Sequence, residues 1–137
     1  MGDPKAGFQE HEHTADQELE IWAPNFPELL EQAALGMNAL AGIRLGPGKR
    51  EARQFRITFN DLEQTLVSFL EELLFITDTE NIAFDEFDLK MSGNKIDVNA
   101  IGTEILDISK EIKAVTYHNL AVLSTRSGLS VRIVFDV

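Results

Sequence analysis

The sequence predicts an α+β domain in which two main helices pack on a largely antiparallel β-sheet. Apolar residues recur at helical spacing from Leu29 to Ala41 and again from Leu62 to Leu74. Phe84–Met91 and Lys95–Ala100 flank Ser92-Gly93-Asn94, the pattern of a β-hairpin. The last seven residues alternate Val131, Ile133, Phe135 and Val137 with Arg132, Val134 and Asp136, the period of a strand with one buried face. At 137 residues the chain suits one domain, and no linker divides it. Residues 1–10 read as a flexible leader and residues 11–137 as the domain.

In chain order, Leu19-Glu20-Ile21-Trp22 reads as a short strand. Asn25 opens the first helix, with Glu28 as its capping-box partner and Pro27 tolerated in the first turn. Gly42 is placed to stop it. Gly46-Pro47-Gly48 is a turn. Phe55, Ile57 and Phe59 alternate with Arg56 and Thr58 as a strand, and Asn60 with Glu63 repeats the capping pattern before the second helix. Strand then Asn-capped helix therefore occurs twice, a weak sign of two related βα units. Ile112–Thr116 and Ala121–Leu123 read as strands, and Ser127-Gly128 leads into the last one.

Composition narrows the function. The chain has no cysteine, which excludes disulfides, thiolate metal sites and cysteine nucleophiles. No apolar run approaches the ~18 residues of a membrane span. Met1–Glu10 lacks the apolar stretch of a signal peptide and reads as a loose leader, and the absence of disulfides is compatible with the cytoplasmic location expected here. With 23 acidic against 12 basic residues the net charge is −11. Strong nucleic-acid binding draws on lysine and arginine displacing phosphate counterions, so this chain is a poor unaided binder of RNA or DNA. Cations and basic protein surfaces are the better partners.

The residues that can carry chemistry lie in three runs. His11-Glu12-His13 with Asp16 gathers metal-capable groups, although it lacks zincin spacing and thiolates. Local packing for His13, and a turn-capping role for Asp16, are the plainer readings. In the last strand Asp136 stands where a half-buried pleat fits an aspartate badly. Were the fold to set Asp16 beside Asp136, the two carboxylates and the Val137 main chain would suit a hard cation such as calcium or magnesium. Glu104 and Asp107 form another acidic stretch. In the third run, Lys113, Val115 and Tyr117 share one side of a strand, and Ala114, Thr116 and His118 the other. Lys113 is either a snorkelling surface residue or a group holding the acidic cluster together, and His118 is a candidate for titration near neutral pH.

These runs together resemble the archease family. The resemblance rests on Glu12-His13-Thr14-Ala15-Asp16, on Lys113-Ala114-Val115-Thr116-Tyr117-His118, and on the closing Ile133-Val134-Phe135-Asp136-Val137. Three motifs in order span nearly the whole chain after the leader. Two departures are visible: Gln17-Glu18-Leu19 stands where the family often has a small residue and a glycine, and Gly102-Thr103-Glu104 is shifted by one residue. The resemblance implies a non-enzymatic accessory protein that activates a GTP-dependent RNA ligase. That ligase joins 3′-phosphate or cyclic-phosphate ends to 5′-hydroxyl ends in tRNA splicing. The accessory protein assists guanylylation of the ligase histidine and sustains repeated turnover. It further implies a divalent cation, usually calcium with magnesium or manganese as alternatives, held by Asp16, Asp136 and the Val137 main chain. Lys113 is carried over as functionally important, and His13, His118 and Glu104 as further residues of partner activation. No residue is assigned a catalytic role.

Two other readings stand beside this one. A chaperone-like modulator of tRNA-modifying enzymes, such as a tRNA methyltransferase, is a role also suggested for archease-like proteins. A metal-dependent phosphoesterase using Asp16, Asp136 and His13 would need a second base or nucleophile and a phosphate-cradling loop. Gly46-Pro47-Gly48-Lys49-Arg50 is too short for such a loop and carries proline where an N–H is wanted.

Overall fold

The computed structural model describes residues 5–12 and 16–137, with Glu12 and Asp16 described by backbone alone. Among these, nine strands and two helices follow in the order β1 (Gly7–Glu12), β2 (Asp16–Ala23), α1 (Phe26–Ala41), β3 (Arg44–Leu45), β4 (Glu51–Thr58), α2 (Leu62–Glu80), β5 (Ile82–Ser92), β6 (Lys95–Asp107), β7 (Ala114–Val115), β8 (Leu123–Thr125) and β9 (Gly128–Asp136). The α+β class is as expected, but the strands form two antiparallel sheets. The first runs β1-β2-β9-β7, with β8 also on β9; the second runs β3-β6-β4, with β5 on the other side of β6.

Alternation explains the central strands of both sheets. Leu19, Ile21 and Ala23 of β2, and Val131, Ile133 and Phe135 of β9, are buried. They form the inner face of the first sheet. Ile96, Val98 and Ala100 of β6 supply the inner face of the second. The β5–β6 turn is as read: Gly93 takes φ 62° at the first position of a two-residue loop, a backbone state that glycine occupies without strain.

Helix α1 begins as expected, with the Asn25 side chain accepting the Glu28 amide at 3.0 Å, and ends at Gly42 with φ 62°. For α2 the expected cap is displaced by one residue. Asp61, not Asn60, accepts the Gln64 amide at 2.7 Å, while the Asn60 amide donates to Thr65 Oγ1 at 3.2 Å. Glu63, read as the partner of Asn60, instead accepts the Val122 amide at 2.7 Å. It therefore ties α2 to the segment before β8. Asp61→Ala is expected to lower stability by about 1 kcal/mol. The check is a shift of roughly 3–5 °C in the thermal midpoint followed by circular dichroism.

Each helix touches strands of both sheets: α1 meets β1, β2, β9 and β5, and α2 meets β4, β5 and β7. One buried cluster accordingly draws residues from both helices and both sheets. Gly36 lets α1 approach the first sheet, since a Cβ there would stand 2.6 Å from Leu19 Cδ2. Gly102 is tighter: an added Cβ would meet the Ala83 backbone, next to the register shift between Phe84 and Glu86. At the centre, the fully buried Phe69 ring lies 6.3 Å from Phe55 and 6.1 Å from Phe87.

The chain departs from expectation at its first residues. Gly7–Glu12, largely assigned to the leader, form edge strand β1. Phe8 packs against the core, and Gly7 leaves room for the Trp22 ring. The segment Ile112–Thr116 pairs with β9 only over Ala114–Val115 before the chain turns through Asn119, whose φ is 52°.

Candidate functional site

The three motif runs meet on β9. Register places Asp16 of β2 directly opposite Asp136 of β9 on one side, and Ala114 of β7 opposite the same Asp136 on the other. The Lys113 amide donates to the Asp136 carbonyl at 2.7 Å, and the Thr116 amide to the Val134 carbonyl at 3.0 Å. Segments far apart in sequence thus converge because β9 is a central strand with β2 and β7 as its neighbours. Asp136 and Lys113 are exposed, and the Val137 side chain packs partly against the core.

Opposed aspartates in an antiparallel pair carry like charges, which destabilises the pairing. The arrangement is chemically favourable when something positive is shared between the strands. The residues that could supply oxygen donors are Asp136, Asp16 opposite it in register, and the main chain of Val137. Such a set fits a hard cation better than zinc or copper. Among the described residues, no three His, Asp or Glu side chains cluster into a ready-made cage.

Other sequence-singled residues lie at varying distances from this seam. His13 is outside the described residues. His118 is exposed in the turn after β7, its amide donating to Thr116 Oγ1 at 3.3 Å and its Nε2 lying 3.3 Å from Asn119 Nδ2. Glu104 is on β6 of the other sheet. There its carbonyl accepts the Gly46 amide at 2.9 Å, and its side chain lies over Gly46 and Gly48. Register within the second sheet, set by Ile82 opposite Glu104, holds it there. His11 is on β1, with Nε2 3.1 Å from Glu20 Oε1.

Sequence reading missed a charged network beside the seam. Arg132 of β9 donates from Nη1 to Glu18 Oε2 at 2.8 Å and brings Nη2 within 3.6 Å of Glu20 Oε1. Hydrogen bonding to Glu18, then the charge of Glu20, raises the Arg132 pKa against a smaller opposing desolvation. The alternation of Glu18 and Glu20 on β2 was visible in sequence. Their pairing with Arg132 needed the register. A separate groove of about 440 Å³ lies on the second sheet, lined by Gln54, Arg56, Asp88, Lys90, Asp97 and Asn99 among others. It takes no part in the seam.

Fold and seam together define a small two-sheet α+β protein whose distinctive chemistry is acidic and gathered on one central strand. Comparison with known proteins gives that class a family. The model of the archease protein family (MTH1598/TM1083) matches residues 8–137. Proteins called archease are similar to this chain: that of Pyrococcus abyssi is 33% identical, covering 88% of this chain and 91% of its own, and that of Methanothermobacter thermautotrophicus is 32% identical over 96% and 99%. A solved archease from Thermotoga maritima, described as a possible chaperone, superposes with a TM-score of 0.71 at 26% identity, covering 100% of this chain and 98% of that one. Protein 1598 of Methanobacterium thermoautotrophicum superposes with a TM-score of 0.72 at 25% identity, over 96% and 99%. This chain belongs to the archease family. No described helix is long and apolar enough to cross a membrane.

Proposed function

We propose that this protein is a non-enzymatic activator of a GTP-dependent RNA ligase that seals 3′-phosphate to 5′-hydroxyl ends in tRNA splicing. The observation that supports it is the convergence on β9 of the three runs carrying the family resemblance, with Asp16 facing Asp136 and Lys113 bonded through its amide to Asp136. Asp16, Asp136 and the Val137 main chain would hold a divalent cation, calcium by preference. When bound, that cation supplies charge neutralisation for phosphoryl chemistry. The chain's own contribution is presentation. Its exposed acidic strand end, on a molecule of net charge −11, is drawn to a basic nucleotide-binding cleft and does not compete there as a nucleic acid would. Lys113 stands beside the seam as the cation able to meet a phosphate or a partner carboxylate. His13, His118 and Glu104 remain candidate partner contacts, with Glu104 assigned to a surface away from the seam.

The test is a ligation time course with the cognate ligase, with and without substoichiometric protein. Product exceeding one equivalent of ligase only in its presence is the expected result. Equal yields in both arms would refute the proposal.

A chaperone-like action on a tRNA methyltransferase is the second reading, favoured by the description of the Thermotoga relative. The exposed Phe75, Tyr117 and Leu123 offer apolar contacts for it. Single exposed apolar residues are ordinary on soluble proteins, so the acidic seam carries more weight. Suppressed methyltransferase aggregation without any effect on ligation would favour this second role. Hydrolysis of generic phosphoesters by the purified protein, lost in Asp16→Ala, would instead establish a phosphoesterase.

A further inference from the structure

We propose that Arg132 is a positioning residue for the acidic seam, strapping β2 to β9 so that Asp16 and Asp136 stay opposed. This inference rests on the cation-binding reading above and extends it to a residue that does not touch the ion. Glu20 is the register partner of Arg132, and Val134 that of Glu18. The short bond at 2.8 Å therefore runs diagonally, past the nearer partner and toward the seam. The same guanidinium stays within 3.6 Å of Glu20, whose carboxylate also meets His11 of β1. One arginine thereby links β9 to β2, and Glu20 carries the link on to β1. The Glu18 side chain is only 12% exposed and the Arg132 side chain 57%, so the pair has one sheltered end and one end open to water, and its strength comes from the charge-assisted hydrogen bond more than from burial.

A strap is needed because of where β2 begins. Asp16 is its first residue, and strand ends fray when the last pair repels. Glu18 and Glu20 add more negative charge to the same strand. Arg132 is the side chain of β9 that answers these charges, with its guanidinium on Glu18 and near Glu20.

Two physical effects of Arg132 predict opposite results, which makes the proposal testable. Removing a positive charge near a cation site should tighten cation binding if the field alone matters. Removing a strap should weaken it. Terbium luminescence or calcium calorimetry on Arg132→Met is expected to show affinity about five-fold lower than wild type. Arg132→Lys keeps the charge but loses the fork, and is expected to fall between the two. Affinity in Arg132→Met equal to or above wild type would overturn the proposal. Amide hydrogen exchange without any cation gives a second readout, since the amides of Gln17 and Leu19, which lie opposite Phe135 and Ile133 in the β2–β9 pairing, should exchange faster in both variants. Unchanged exchange there would overturn the strap. Failure of wild-type protein to bind any divalent ion would count against the cation reading itself, and the exchange measurement would still decide whether Arg132 fastens the strands.

Discussion

Asp136→Ala is expected to abolish ligase stimulation while leaving the fold intact. Asp136 is exposed at the end of β9, and its structural ties run through its backbone: pairing with Asp16 and Ala114, and the carbonyl that accepts the Lys113 amide. Alanine preserves all of these. Asp136 is an exposed residue at a strand end, so the thermal midpoint should move by no more than about 2 °C. Cation affinity should fall by about 100-fold or more, because loss of outer contacts alone costs 10–100-fold at metal sites and this is a proposed ligand. Asp16→Ala is expected to do the same. Circular dichroism, calcium titration and the ligation assay on one preparation check all three parts. Wild-type stimulation by both variants would remove the seam from the mechanism.

Phe69→Ala is expected to do the opposite, destroying stability without touching the seam. Its ring is fully buried, and Phe55 and Phe87 from β4 and β5 lie against it. Truncation leaves a cavity in a close-packed core, typically costing about 3–5 kcal/mol. A domain of this size has roughly 7–20 kcal/mol in total, so the loss is a large fraction of it. The thermal midpoint should fall by roughly 10–20 °C. Denaturant unfolding checks the free energy: the midpoint concentration should drop with an unchanged slope. Stimulation measured well below the new midpoint should persist, which separates a stability defect from a functional one. A shift under about 1 kcal/mol would mean that the core closes over the missing ring.

Much of the fold was legible in the residues. The spacing of Leu29, Leu30, Ala33, Ala34 and Met37 marks a helix because those positions share one face, and they are indeed buried. Asn25 and Gly42 bound it because their side chain and backbone freedom satisfy groups at the helix ends. The cap of α2 was misread by one residue. Asn60 and Asp61 are both capping types, and the backbone at Asp61 (φ −116°, ψ 171°) makes the choice between them. Strand β1 was missed for a different reason. Its polar residues Gln9, Glu10, His11 and Glu12 give little inward pattern, and only pairing with β2 orders them.

The candidate site divides along the same line. Local sequence by itself determined the ingredients: an aspartate after His13-Thr14-Ala15, an aspartate closing an alternating strand, a lysine beside a short apolar run, and a net charge of −11. It also determined the helices and the β5–β6 hairpin, since their hydrogen bonds close within a few residues or across a tight turn. Tertiary structure alone decided which ingredients meet. Asp16 and Asp136 are opposed, Lys113 joins them and Glu104 does not, because β-strand partners are chosen by burial over long separations and not by neighbours in the chain. Arg132 was a single cation in a strand until register set it diagonally against Glu18.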